Sequence, residues 1–225
     1  MLELDRDITL ALNGSENLFW DNLMTTVTNT WSWTLVLITM LVVIFKNNDI
    51  REFFLILLSM IIMIVVADRL CSGLIKPMVA RWRPTQDPEI MYMVDVVNGY
   101  RGGRFGFFSG HSCNTFCVAT FMALLLRDRL ASVVYFLWAA TTTYTRIYLG
   151  VHYFGDVMVG MLVGCFIGVS FYILYDKLRT RLGTVRITSS KYTATGYQKS
   201  DIQTLLAIIF FNYILLVIIS ICKGV

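Results

Sequence analysis

Eleven consecutive residues from Arg146 through His152 to Asp156 set a cation, an imidazole and a carboxylate together between two long apolar runs. If a helix starts near Val151, His152 and Asp156 stand at i and i+4 on one face. The carboxylate can then take the Nδ1 proton and leave Nε2 basic. A histidine oriented in this way serves as a nucleophile or general base. The chain's other histidine, His111, opens a different apolar run in Phe108-Ser109-Gly110-His111. The plainer alternative is two histidines that cap helices at a lipid interface. The polar residues found upstream weigh against it.

Lys76 and Arg83 are two helical turns apart, so their side chains converge on one anion if the helix persists as far as Pro84, which then stops it. Interfacial cations snorkelling to lipid phosphates are the competing reading of this stretch. A glycine-rich approach, Asn98 to His111, follows. A helix opening at Ser109, Gly110 and His111 would aim free N–H groups and the positive end of its dipole at an anion. Ser112, Asn114, Thr115 and the threonines 141–145 add hydroxyls and an amide at the ends of two apolar runs, either for a site or as hydrogen-bonding links between helices. Three cations (Lys76, Arg83, Arg146) and helix-terminal amides suit the equatorial oxygens of a phosphoryl group, and two histidines supply a nucleophile and a leaving-group acid. No carboxylate cluster is present to hold Mg²⁺ or Zn²⁺, so the cations are expected to do a metal's work. The chemistry expected is metal-independent hydrolysis of a phosphomonoester or diphosphate through a phosphohistidine. Arg101 and Arg104 either contact a second phosphate or anchor lipid headgroups.

The elements that must position these residues are membrane helices. Of 225 residues 56% are hydrophobic and 15% charged, and the mean hydropathy is +0.65, too apolar for an ordinary soluble domain. Apolar runs near 22–45, 53–75, 109–126, 130–148, 153–175 and 203–222 each approach the length needed to span a bilayer, giving about six transmembrane helices. Residues 1–20 read as an amphipathic interfacial segment, with no cleavable leader evident. Lys and Arg are concentrated in the 176–202 loop and in the loops sharing its side, including Arg186. The positive-inside rule puts that basic loop in the cytoplasm and both histidines outside. Gly160, Gly164 and Gly168 form a small-residue strip for close helix packing. The odd set of five cysteines lies in apolar runs, against a disulfide framework, and Cys113 and Cys117 lack further ligands for a metal. A net charge of +4 without a basic block makes no case for nucleic acid. One domain, 1–225, is expected.

In order and spacing these pieces resemble the type 2 phosphatidic acid phosphatase (PAP2) family in its short bacterial membrane form. The family's three motifs, Lys-x6-Arg-Pro, Pro-Ser-Gly-His and Ser-Arg-x5-His-x3-Asp, are matched by Lys76 to Arg83-Pro84, Phe108-Ser109-Gly110-His111 and Thr145-Arg146 to His152 to Asp156. Phe108 stands for the family's Pro and Thr145 for its Ser. The resemblance is close over 68–160. It implies an all-α polytopic membrane bundle with a PAP2/haloperoxidase-like core and no cofactor. It also implies His152 as nucleophile, Asp156 as its orienting partner and His111 as general acid, with Lys76, Arg83, Ser109, Gly110 and Arg146 as the phosphate cradle. The substrate implied is a membrane lipid phosphate at the outer face of the inner membrane: undecaprenyl diphosphate, phosphatidylglycerol phosphate, phosphatidic acid or lipid A, with a diphosphate-type or lipid A substrate favoured. A lipid phosphotransferase and a non-catalytic lipid-binding or transport protein are the alternatives.

Overall fold

The computed structural model describes residues 2–181 and 189–223. Among these residues the secondary structure is helical apart from two isolated bridges. The long elements are α1 (Leu2–Leu12), α2 (Leu18–Thr28), α3 (Thr34–Asn47), α4 (Ile50–Asp68), the short α5 (Lys76–Val79), α6 (Gly110–Leu126), α7 (Arg129–Tyr148), α8 (Phe154–Arg181) and α9 (Lys199–Cys222). Several helix starts carry the side chain that satisfies a first-turn N–H. Asp49 accepts from Arg51 and Glu52, Ser109 from Ser112, and Asp128 from Ala131.

Four segments are long and apolar enough to cross a membrane: Thr30–Asn47, Ile50–Val79, Phe154–Arg181 and Lys199–Cys222. Gly110–Leu126 is apolar but shorter, and the hydroxyl-loaded α7 is not among the four, so the expected count of six is not reached by length and composition alone. The first expected span, 22–45, is broken. Asn29 is extended, its side chain accepts the Trp31 N–H at 3.1 Å, and a 3₁₀ turn over Thr30–Trp33 leads into α3. The break falls in the hydroxyl-rich stretch Thr25 to Thr34, where Thr, Asn and Ser alternate with Val and Trp and the side chain of Asn29 can compete for the backbone. The expected 176–202 loop is shorter than its sequence limits, since α8 runs to Arg181 and α9 begins at Lys199; Arg186 lies outside the described residues.

α6 sits at the centre, against α4, α7 and α8. Its crossing with α8 is made by the glycine strip. A Cβ on Gly160 would lie 2.6 Å from the Ser109 carbonyl oxygen and one on Gly168 2.8 Å from that of Cys117, while one on Gly164 would run into the carbonyl of Cys113. Backbone thus meets backbone along three turns, which stands in for the hydrophobic drive that lipid does not supply. Cys113 and Cys117 are fully buried in this seam as small core residues. Leu58, Phe166 and Phe210 point outward and are more than half exposed, as lipid-facing residues are. At the end away from the histidines, Glu52 of α4 accepts from both Arg179 and Tyr175 of α8 at 2.6 Å, tying the two helices together.

Candidate active site

His152 precedes α8 and does not lie on it, since the helix begins at Phe154. It nevertheless meets Asp156, because Asp156 is the third residue of the helix and reaches back. Its Oδ2 accepts the Tyr153 backbone N–H at 3.1 Å, a capping arrangement, and lies 3.6 Å from His152 Nδ1. On the other edge of the ring Arg83 Nη1 is 3.3 Å from Nε2. A guanidinium only donates, so Nε2 is the accepting nitrogen and Nδ1 carries the proton that faces Asp156. His152 and Asp156 are buried, the latter completely. Burial first, and then the charges of Arg83, Arg146 and Lys76, hold the His152 imidazole well below its usual range and therefore neutral.

The cradle residues arrive by a different route from the one the spacing suggested. The helix does not persist to Pro84. It loosens into a π-helical stretch at Arg69–Ile75 and ends at Val79, where Ala80 is left-handed, with φ of 50°. Arg83 enters from extended chain, donates to the Val151 carbonyl at 3.0 Å and keeps its Nε unpartnered. The glycine-rich segment lies along this chain through the Trp82–Phe105 bridge and the Gly106 N–H bond to the Arg81 carbonyl at 2.9 Å. Gly106 covers the site so closely that a Cβ there would be 2.9 Å from Asp156 Oδ2 and 3.6 Å from His152 Nδ1. Ser109, wholly buried, caps α6 and donates its own N–H to the Asp156 carbonyl at 3.0 Å. A Cβ on Gly110 would be 3.9 Å from Lys76 Nζ, which places that ammonium at the start of α6. Arg146 is buried, donates to Thr28 Oγ1 at 2.7 Å and to the Tyr100 hydroxyl at 3.4 Å, and leaves Nε unpartnered. Lys76, Arg83, Ser109, Gly110, Arg146, His152 and Asp156 are thus brought to one end of the bundle.

His111 faces two cavities. One, of about 340 Å³, is lined by Thr25, Thr28, Asn29, Thr30 and Tyr100 together with Arg146. The other, of about 290 Å³, shares Thr28, Thr30 and His111 and runs among Trp33, Ile64, Val118 and Trp138. Phe108 is buried in the core and lines neither cavity, and the Thr145 hydroxyl is spent on the Thr142 carbonyl. Arg101 is held by the Thr85 carbonyl at 2.9 Å, and Arg104 stacks over Trp82 at 4.7 Å. Among the described residues no three metal-ligating side chains gather.

Four groups escaped the sequence reading. Arg81 Nη1 donates to Asp156 Oδ1 at 2.7 Å, and its Nη2 to Asp5 Oδ2 at 2.6 Å. Asp5 and Thr9 of α1 also take the first N–H groups of α8, Gly155 at 2.7 Å and Phe154 at 3.0 Å. The threonines around Asn29 form the fourth. No periodicity signals any of these, because each acts across a large separation in the chain.

The sequence profile of the PAP2 superfamily matches residues 53–180. A lipid A 4'-phosphatase of Bacteroides thetaiotaomicron is 38% identical over 182 residues, covering 80% of each chain. One of Porphyromonas gingivalis is 32% identical over 181 residues, covering 80% of this chain and 77% of that protein. Among solved structures, Aquifex aeolicus LpxE aligns with a TM-score of 0.58 at 23% identity, over 75% of this chain and 94% of the other. The transmembrane PAP2 type phosphatidylglycerolphosphate phosphatase of Bacillus subtilis aligns with a TM-score of 0.59 at 21% identity, over 82% and 89%. At such identities the two structures speak for the fold.

Proposed function

We propose, from the premise that this chain is a membrane phosphatase belonging to the PAP2 superfamily, that it removes a phosphate from a glycolipid of the lipid A type by way of His152. The observation that carries the chemistry is the neutral His152, with Nε2 beside Arg83 at 3.3 Å and Nδ1 turned to Asp156. Nε2 attacks phosphorus in line as the bond to the leaving oxygen breaks, and that oxygen takes its proton from His111. Water then attacks the phosphohistidine, its proton passing to His111 as the Nε2–P bond breaks, which releases phosphate and restores both imidazoles to their starting states. Lys76, Arg83, Arg146 and the N–H groups at the start of α6 hold the three equatorial oxygens, whose charge grows in the transition state. Asp156 stabilises the imidazolium character that His152 gains.

The leaving group is read from the cavities beside His111. Hydroxyls and an amide from Thr25, Thr28, Asn29, Thr30 and Tyr100 suit a sugar, and the apolar cavity below suits the start of an acyl chain. The two curated relatives, named as lipid A 4'-phosphatases, support the same substrate and position. The positive-inside distribution favours an inner-membrane protein with this end facing the periplasm.

The test is phosphate release in detergent by EDTA-treated protein, wild type beside His152→Ala, on lipid A, undecaprenyl diphosphate, phosphatidylglycerol phosphate and phosphatidic acid. Release from lipid A at the 4' position, lost in the variant, is expected. Preference for a lipid without a sugar would overturn the substrate, and release by the variant would overturn the nucleophile.

A further inference from the structure

We infer that Asp5, on the amino-terminal helix α1, is a positioning residue for catalysis, acting through Arg81 and the first turn of α8 to keep Asp156 aimed at His152. Asp5 and Asp156 share one guanidinium. Arg81 gives Nη2 to Asp5 Oδ2 at 2.6 Å and Nη1 to Asp156 Oδ1 at 2.7 Å, and its plane lies over the Tyr153 ring at 4.0 Å. The Tyr153 hydroxyl in turn donates to Asp87 at 2.6 Å, a carboxylate that Arg6 of α1 approaches at 3.7 Å. Two carboxylates and one guanidinium leave a net charge of −1 on the group behind His152. Asp5 offsets the charge of Arg81 and anchors its second Nη, so Asp156 gives one oxygen to the guanidinium and keeps the other turned to the imidazole that gains charge as it attacks.

Asp5 also fixes the geometry. Its Oδ1 takes the Gly155 N–H at 2.7 Å and Thr9 Oγ1 takes that of Phe154 at 3.0 Å, while Thr9 donates back to the Asp5 carbonyl at 2.6 Å. Asp156 itself occupies the Tyr153 N–H. The opening turn of α8, which carries Asp156 and follows His152, is therefore capped from another element. Thr9 is fully buried, so this face of α1 is seated on the turn. Residues 2–12 also lie outside the stretch that matches the family profile, which begins at residue 53.

The inference rests on the reading of His152 as the nucleophile, and the test separates the two. Wild type, Asp5→Asn and Asp5→Glu are compared by kcat and KM on lipid A, by thermal unfolding, and by binding of orthovanadate and sulfate. Vanadate takes Nε2 as a fifth ligand, whereas sulfate fills only the cationic cradle. In Asp5→Asn, kcat is expected to fall about tenfold, the size of one charge-assisted interaction, with KM within about twofold. Vanadate should weaken about as much as kcat falls while sulfate stays put, and Asp5→Glu should recover part of the loss. Unchanged kcat and vanadate affinity in Asp5→Asn would overturn the positioning role alone. Equal weakening of both anions with a lowered Tm would also overturn it, leaving Asp5 as a structural cap. A wild type that binds vanadate no better than sulfate and turns over no lipid would overturn the nucleophile and the inference with it.

Discussion

His152 is neutral because burial and three nearby cations oppose its protonation, and this state can be measured directly in a chain with only two histidines. In ¹⁵N-histidine spectra one imidazole, absent from His152→Asn, is expected to keep the neutral pattern with the proton on Nδ1 well below pH 6.5. Charging at or above pH 6.5 would contradict the electrostatics described. The sign for stability follows. Below about pH 6.5 the unfolded imidazole binds a proton that the folded one does not, so His152 subtracts stability as the pH falls and contributes nothing above that range. Arg83 faces the same ring through Nη1, which also donates to the Val151 carbonyl, and its planar guanidinium leaves Nε unpartnered. Arg83→Lys keeps the charge but not the planar group, and kcat/KM on the preferred lipid is expected to drop about 100-fold. A loss of less than about threefold would show that charge alone suffices.

The elements explain which parts of the site could be read from the chain and which could not. His152 and Asp156 were legible by spacing, although one helix face is not what joins them; a carboxylate three residues into α8 reaches back to the ring. Lys76 and Arg83 were legible as a pair but not as helix, because the left-handed Ala80 redirects the chain and no residue type there announces it. The glycine strip was legible in full, since small residues at every fourth position have few other uses in an apolar helix. Arg81 and Asp5 were not, being joined to Asp156 and Gly155 only by the fold. The strip yields its own prediction. Gly164→Leu would drive a side chain into the Cys113 carbonyl, which cannot turn aside as a side chain can. We expect a loss of about 3 kcal/mol or more, read as a fall in Tm in detergent together with loss of activity, since the same seam holds Ser109 against Asp156. A variant with wild-type Tm would mean that α6 and α8 do not approach this closely.

At the scale of the whole molecule, one end gathers the site, both histidines, α1 and the carboxyl end of α9, whose Lys223 reaches Thr26 Oγ1 at 3.3 Å. Cys222 is exposed at that end, while Cys71, Cys113 and Cys117 are buried. A membrane-impermeant maleimide should therefore label Cys222 in intact cells stripped of their outer membrane, and Cys222→Ser should abolish the labelling. Labelling only in inverted vesicles would place the site in the cytoplasm. The opposite end is closed by Glu52, Tyr175 and Arg179, so α8 is secured at both of its ends to other helices. The seating of α1 on α8 also has a consequence in time. Asp5 is made early and waits for Gly155, its partner 150 residues later, which at ribosomal rates is a delay of about 8–30 s. Until then Asp5 has no partner on α8, and Arg81 has only one of the two carboxylates it holds in the finished fold. The first helix made thus closes the turn of α8 only when most of the chain is in place.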